Sequence, residues 1–182
     1  MAAVIAVALA SPLAGQSGSG EPGAIESPAG RFELEPSPDG PGGLVLRSLR
    51  ITGSALKPRE NNVSYTVNVN GSCFYVTAGS ATTVWNVPIT LPDGATIDSL
   101  RIYYYDTSAS NLSAWFTVYD LYGSIVEEWS VSSSGIPGNS FDDSVQISHV
   151  IDHDVYSYVV NVRPVGTGSS LQFCGVRLFY IP

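Results

Sequence analysis

The segment from Leu91 to Ser134 constrains the fold of this chain most, because apolar and polar residues alternate in it with a period of two. In LRIYYYD, the residues Leu100, Ile102 and Tyr104 occupy every second position. A polar run interrupts the pattern at 106–111, and the alternation then resumes. Successive side chains of a β-strand point to opposite faces, so each stretch reads as a strand with one buried face. The segment therefore predicts an antiparallel meander of three consecutive strands.

Similar alternating stretches recur along the rest of the chain, separated by turn residues such as Asn70-Gly71. No window shows the 3.6-residue period of a helix. About nine or ten strands at this spacing are typical of a sandwich or barrel. We expect an all-β fold: a two-sheet antiparallel sandwich that is jelly-roll-like. Pro88 lies inside one of the strands, so we expect an edge or a bulge there.

The front of the chain differs from the rest. Residues 1–14 are mostly apolar and end in small residues, which is typical of a signal peptide, and the apolar run is too short to be a transmembrane span. Residues 15–43 are rich in Gly, Pro and Ser and predict a flexible arm. Residues 44–182 predict a single sandwich domain. Within the arm, Arg31 to Glu35 alternates, and we expect it to add a strand to a sheet of its own or a neighbouring copy.

The charge balance excludes one class of partner. Sixteen acidic and eight basic residues give a net charge of −8, and a nucleic-acid-binding surface needs an excess of Lys and Arg. Charged residues make up 13 % of the chain, against about 25 % in an average protein. Together with the apolar leader, this composition predicts a secreted or cell-surface protein.

Cys73 and Cys174 are the only two cysteines. In an exported chain an even number of cysteines favours a disulfide, with a Cα–Cα separation of about 4.4–6.8 Å. The alternative is a pair of buried reduced thiols.

Four phrases of the sequence resemble a group of uncharacterised secreted bacterial proteins built on one β-sandwich domain. They are LPDGATIDSLRIYYYDTSASNLSAWFTVYD, SVSSSG, VYSYVVNVRP and LQFCGVRLFY. The resemblance covers residues 54–182. It implies a secreted β-domain, and it brings no activity, cofactor or site residue with it.

Tyr103, Tyr105, Trp115 and Tyr119 are candidates for a binding face, because they alternate with the apolar positions of their strands. If that face is exposed, the rings suit a sugar or a protein partner. If both faces of the strands are buried, the four residues belong to the core.

Asp152, Asp154, His149 and His153 are possible metal ligands, because imidazole and carboxylate groups bind Zn²⁺ and clustered carboxylates bind Ca²⁺. The spacing matches neither an HExxH motif nor an EF-hand, and acidic loops also form plain solvated turns. We expect no cofactor.

The sequence offers little catalytic chemistry. It contains no G-x-S-x-G motif, and Glu127 and Glu128 are adjacent in a strand, so their side chains point to opposite faces. The main hypothesis is a non-enzymatic domain for extracellular assembly or adhesion, whose partner is a second copy of the chain in a homo-oligomer or polymer. The alternative is a carbohydrate-binding module that uses an aromatic face and takes a glycan as partner.

Overall fold

Twelve β-strands and one short 3₁₀ helix form the regular structure of residues 45–79 and 82–182, the residues that the computed structural model describes. The strands are β1 (Arg47–Thr52), β2 (Lys57–Pro58), β3 (Ser64–Val67), β4 (Phe74–Ala78), β5 (Trp85–Ile89), β6 (Thr96–Asp106), β7 (Leu112–Asp120), β8 (Ile125–Ser132), β9 (Gly138–Asp143), β10 (His149–Val150), β11 (Tyr156–Pro164) and β12 (Leu171–Ile181). The 3₁₀ helix is Gly53–Ala55. In these residues no helix is long and apolar enough to cross a membrane. The predicted signal peptide and arm, 1–14 and 15–43, lie outside them.

The strands form two antiparallel sheets. In sheet A, β6 and β12 pair at the centre, β9 and β10 lie along the free edge of β6, β1 and β4 lie along that of β12, and β3 pairs with β4. Sheet B has the order β2-β5-β11-β7-β8. The chain passes repeatedly from one sheet to the other, so the predicted two-sheet, jelly-roll-like sandwich is confirmed.

The core lies between the sheets and follows the period-two pattern of the sequence. In β6, Leu100 and Ile102 are fully buried, and in β7, Leu112 and Phe116 are as well. Each such side chain contributes about 1.5–3 kcal/mol relative to an exposed position. The inward faces of β6 and β7 therefore tie sheet A to sheet B.

The predicted meander is wrong at its first turn, because β6 belongs to sheet A and β7 to sheet B. Asp106, buried at the end of β6, accepts hydrogen bonds from the Ser108 backbone N–H at 2.9 Å and the Ser133 hydroxyl at 2.8 Å. The same Ser133 oxygen accepts the Leu112 N–H at 3.1 Å. These hydrogen bonds fix the connection between β6 and β7 as an arch, that is, a loop that crosses from sheet A to sheet B. The second turn is a true hairpin, since β7 and β8 pair.

Two strand boundaries also differ from the prediction. The Ser, Gly and Pro residues of 132–140 predict a loop, yet β9 begins inside this segment. The sequence of 145–150 predicts a short strand, of which only the two residues of β10 are present. The sequence of β9, GNSFDD, is polar because the strand pairs along an outer edge of β6.

Pro88 lies at an edge, as predicted. Strand β2 pairs only with Trp85 and Asn86 of β5, so Pro88 has no strand partner on that side.

The predicted disulfide between Cys73 and Cys174 is present. Its Cα–Cα separation is 3.8 Å, shorter than expected. The two cysteines are direct neighbours across the strands, next to Phe74 and Phe173, which form the one register pair between β4 and β12. The bridge therefore fastens the β3–β4 hairpin to the centre of sheet A.

Candidate ligand-binding face

The structure does not bring the four predicted aromatic residues together. Tyr103 and Tyr105 lie on the outer face of sheet A, because their neighbours in β6 point into the core. Trp115 and Tyr119 lie on the outer face of sheet B. The two pairs are on opposite sides of the sandwich, so any aromatic binding face uses one pair or the other.

On sheet B, the polar groups of the outer face bind one another. The Asn161 side-chain amide donates to the Thr117 hydroxyl at 2.9 Å and to the Tyr119 hydroxyl at 3.2 Å. The Thr117 hydroxyl in turn donates to the Glu128 carboxylate at 2.9 Å. Asn161 and Thr117 are buried, so this network stabilises the sheet. It holds Tyr119 through its hydroxyl group.

The possible metal ligands are spread over separate contacts. The His149 ring lies 2.8 Å from the Glu127 carboxylate, and the His153 ring lies 2.9 Å from a backbone carbonyl oxygen. The Asp152 carboxylate accepts the Asp154 backbone N–H at 3.0 Å. Across the two described ranges, no three His, Cys, Asp or Glu side chains are placed to share a metal ion. The acidic loop is thus a hydrogen-bonded turn.

On sheet A, a groove of about 320 Å³ runs across β12 between β1 and β6. Thr52, Gly175 and Tyr103 are register partners, so they form a row across the three strands. Gly175 leaves the middle of that row open, and the walls come from Thr52 and Tyr103. The groove is lined by Arg50, Ile51, Thr52, Tyr103, Cys174, Gly175 and Val176.

The glycine at the floor of the groove is required by its surroundings. A Cβ atom on Gly175 would lie 2.6 Å from the carbonyl oxygen of Ile51, closer than real Cβ contacts allow. The floor of the groove is therefore bare backbone, and a ligand lying there meets peptide groups as well as side chains.

The next row of the same face carries three arginines. Arg50, Arg177 and Arg101 are register partners across β1, β12 and β6. Arg101 forms two hydrogen bonds to Asp143 of β9, at 2.7 and 3.1 Å. Burial lowers the pKa of Arg101, but the hydrogen bond and charge of Asp143 outweigh that effect and raise the pKa above its ordinary value. Arg101 is therefore a neutralised cation at one end of the row.

Aromatic rings hold two of the three arginines, Arg101 and Arg177, in place. The Arg101 guanidinium lies 4.3 Å from the centre of the Phe141 ring, and the Arg177 guanidinium lies 4.6 Å from that of Phe179. The Tyr103 ring contacts Phe141 at 6.0 Å between centroids. Such cation–π contacts orient the charged groups without neutralising them.

Arg50 and Arg177 have no acidic partner among residues 45–79 and 82–182. Within the described part of the chain, neither forms a salt bridge, and the Nε atom of Arg177 is buried without a hydrogen-bond partner. No local sequence pattern points to this row. Arg50 and Arg177 lie at opposite ends of the domain in sequence, and only the pairing of β1 with β12 shows that they are neighbours.

No protein-family model matches the sequence, and no curated protein matches it. Among solved structures, the chain is similar to the C-terminal CBM6 of LamC, a laminarinase from Zobellia galactanivorans, with 12 % identity and a TM-score of 0.45 over 72 % of this chain and 98 % of that one. It is also similar to the carbohydrate-binding module CBM36 in complex with calcium and xylotriose, with 6 % identity and a TM-score of 0.45 over 72 % of this chain and 98 % of that one. A third similar structure is a CBM36 domain of a xylanase from the hindgut metagenome of Trinervitermes trinervoides. It has 5 % identity and a TM-score of 0.46 over 72 % of this chain and 96 % of that one. No residue role is transferred from these structures.

Proposed function

We propose that this protein is an extracellular, non-enzymatic β-sandwich module that binds carbohydrate in the groove over Gly175. The observation that carries the proposal is the groove itself, which combines an aromatic wall, a backbone floor and a hydroxyl-bearing wall on one sheet face. Its volume is at the lower end of the usual range for small-molecule sites, about 300–1,000 Å³.

The chemistry of the walls suits a sugar ring. The Tyr103 ring presents an apolar surface to the C–H groups of a pyranose, as aromatic side chains do at amphipathic binding sites. The Thr52 hydroxyl and the Arg50 guanidinium supply donors for sugar hydroxyl groups. The backbone that carries these groups belongs to paired strands, so it is fixed in position before a ligand arrives.

Three observations support this proposal, two for a binding role and one for an oxidising compartment. The residues lining the groove include no carboxylate and no imidazole, whereas a glycosidase uses two carboxyl groups about 5–9.5 Å apart. Glu127 and Glu128, the adjacent acids of β8, contact His149 and Thr117 instead, far from the groove in the topology. The disulfide is typical of proteins outside the reducing cytosol.

The test is a binding screen of the full chain on a panel of immobilised polysaccharides, followed by isothermal titration calorimetry with the best oligosaccharide. Tyr103→Ala should weaken binding about 10-fold or more. Thr52→Trp should block the groove while keeping Tyr103. The matched control is Tyr122→Ala, because Tyr122 is 95 % exposed at the β7–β8 turn. Equal loss in the control, or no binding to any polysaccharide, would contradict the proposal.

A second candidate function, assembly between copies, is favoured by the edge of sheet B. In the described residues β8 pairs on one side only, and Ile125 and Val126 on it are 58 % and 45 % exposed. An apolar edge strand is a template for pairing with another chain. Light scattering at rising concentration tests this: Ile125→Lys should abolish any association, and a monomeric wild type rules assembly out. The predicted strand at Arg31 to Glu35 lies outside the described residues.

A further inference from the structure

We propose that the groove over Gly175 takes an acidic sugar, and that Arg50 and Arg177 bind the carboxylate of a uronate unit. This inference rests on the proposed function, since it names the ligand class of the same site. It starts from the arginine row, which holds three of the eight basic residues of a chain with a net charge of −8.

Within the part of the chain that the structure describes, the row carries a positive charge that Asp143 compensates only at Arg101. Like charges directly opposite each other on paired strands destabilise a sheet. Asp143 neutralises Arg101 at one end, with both carboxylate oxygens engaged. Nothing in the described chain does the same for Arg50 and Arg177. One further carboxylate would complete the row, and a bound uronate supplies it.

The spacing of the face matches such a ligand. Neighbouring strands are about 4.8 Å apart, so the guanidinium groups of Arg50 and Arg177 can close on one carboxylate. Residues two apart on a strand are separated by about 6.6 Å, which is the distance from the Gly175 row to the arginine row. A sugar ring beside Tyr103 can therefore place its carboxylate between the two arginines.

Arginine is the suitable cation for this role. Its planar guanidinium group binds carboxylates through two parallel hydrogen bonds and stays charged at any physiological pH. The stacking of Arg177 on Phe179 fixes the plane of its guanidinium group and reduces the entropy lost on binding. Arg50 is exposed and lines the groove, so it is free to move onto the ligand.

The experiment compares three oligosaccharides on the full chain by isothermal titration calorimetry: an oligogalacturonide, the same oligomer with its carboxyl groups reduced to alcohols, and a sulfated oligosaccharide. The oligogalacturonide should bind about 10- to 100-fold more tightly than the reduced oligomer, because hydrogen bonds to charged groups contribute about 1.5–3 kcal/mol. Raising the salt concentration should narrow this difference.

Three variants assign the effect to the row. Arg50→Gln and Arg177→Gln should each weaken oligogalacturonide binding about 10-fold or more, and Arg177→Gln, which removes no group proposed to bind a neutral sugar, should leave binding of the reduced oligomer unchanged. Arg59→Gln, which removes the same charge from an exposed position next to β2, should have no effect. Thermal melts of all three variants check that they are folded.

The outcomes separate this inference from the proposed function. If both oligomers bind equally and Tyr103→Ala abolishes binding, the uronate assignment is overturned and the proposed function stands. Preference for the sulfated sugar, or an oligogalacturonide affinity that neither arginine variant changes, also overturns the assignment. If neither galacturonide-derived oligomer nor any polysaccharide of the panel binds, the proposed function fails and the inference fails with it.

Discussion

The two hairpins of the sandwich are attached to it in different ways. In β7–β8, the strand β7 pairs with β11 along its whole length, from Leu112 to Asp120, and buries its inner face in the core. In β3–β4, the strand β4 meets β12 at one register pair, and all four residues of β3 are exposed. Strand pairing along its whole length holds the first hairpin in its sheet, whereas the second has almost no such pairing and relies on the burial of Phe74 and Val76 and on other contacts.

Those other contacts are a disulfide and an aromatic cluster. Cys73 is bonded to Cys174 at the start of β4. The Phe74 ring lies 4.2 Å from Trp85 of sheet B, and the Tyr65 ring lies edge-on to the same Trp85 at 4.6 Å. An edge hairpin with almost no strand pairing to the rest of its sheet can therefore be fixed by one covalent bond and a few large rings.

The largest effect that tests this difference is expected from Phe116→Ala in β7. The side chain is fully buried, so the substitution should cost about 3–5 kcal/mol of the free energy of unfolding. Because β7 is part of the core, the loss should appear as global unfolding in urea. Ser130→Ala, at an exposed position of β8, is the control and should change stability by less than about 0.5 kcal/mol. Opening of the β7–β8 hairpin before the rest of the protein unfolds would contradict the view that β7 is part of the core.

Removal of the disulfide should act on the other hairpin. The double variant Cys73→Ser, Cys174→Ser should lose about 2–4 kcal/mol, since the bridge joins residues 101 apart in sequence. Hydrogen exchange followed by mass spectrometry should show faster exchange in β3–β4 than in β7–β8. Equal acceleration in both hairpins would contradict the view that the bridge acts mainly on β3–β4. Adding reductant to the variant should have no further effect.

A smaller effect is expected from Tyr65→Ala. The substitution removes the edge-to-face contact with Trp85, which is worth about 0.5–1.5 kcal/mol beyond the buried area. Tyr122→Ala serves as the control, because that ring is almost fully exposed. Chemical unfolding measures the free energy of unfolding of both variants. A larger loss of stability for Tyr122→Ala than for Tyr65→Ala would argue against a stabilising role of the aromatic cluster.

The smallest effect concerns the turn of the β7–β8 hairpin. The backbone N–H groups of Ser124 and Tyr122 donate to the Asp120 carboxylate at 2.8 and 2.9 Å, and these bonds lower its pKa. A lowered pKa stabilises the fold above the unfolded-state value of about 3.9, and this contribution is lost as the pH falls through the folded-state pKa. The difference in melting temperature between the wild type and Asp120→Ala should therefore begin to shrink as the pH falls below about 4 and reach its minimum only below the folded-state pKa of Asp120. A difference that stays constant with pH would exclude this origin.

Much of the fold follows from local sequence. Alternation at Leu100 and Ile102 predicts which face of β6 is buried, and the lone pair of cysteines predicts the bridge. The arch after Asp106 is not predictable in this way, because a period of two defines the faces of a strand and leaves its partner open. The buried carboxylate and the Ser133 hydroxyl decide that the chain crosses to sheet B, and they are 27 residues apart.

The candidate site was less predictable than the fold. Tyr103 stood out as an aromatic residue on an alternating strand, but its partners in the groove come from β1 and β12. Strand register between distant segments depends on the packing of the whole sheet, so neither the arginine row nor the open space over Gly175 has a local signal. Trp115 and Tyr119 had the same sequence pattern as Tyr103 and lie on the other sheet.

The disulfide also has a consequence for the groove. Cys174 lines it and is bonded to the residue that precedes β4, so the floor at Gly175 is anchored covalently on one side. A floor that is rigid in the free protein loses little conformational entropy when a ligand binds. Binding at this site should thus have a small entropic penalty from the floor, and the affinity for a short ligand should depend on how well its shape fits a floor that does not adapt to it.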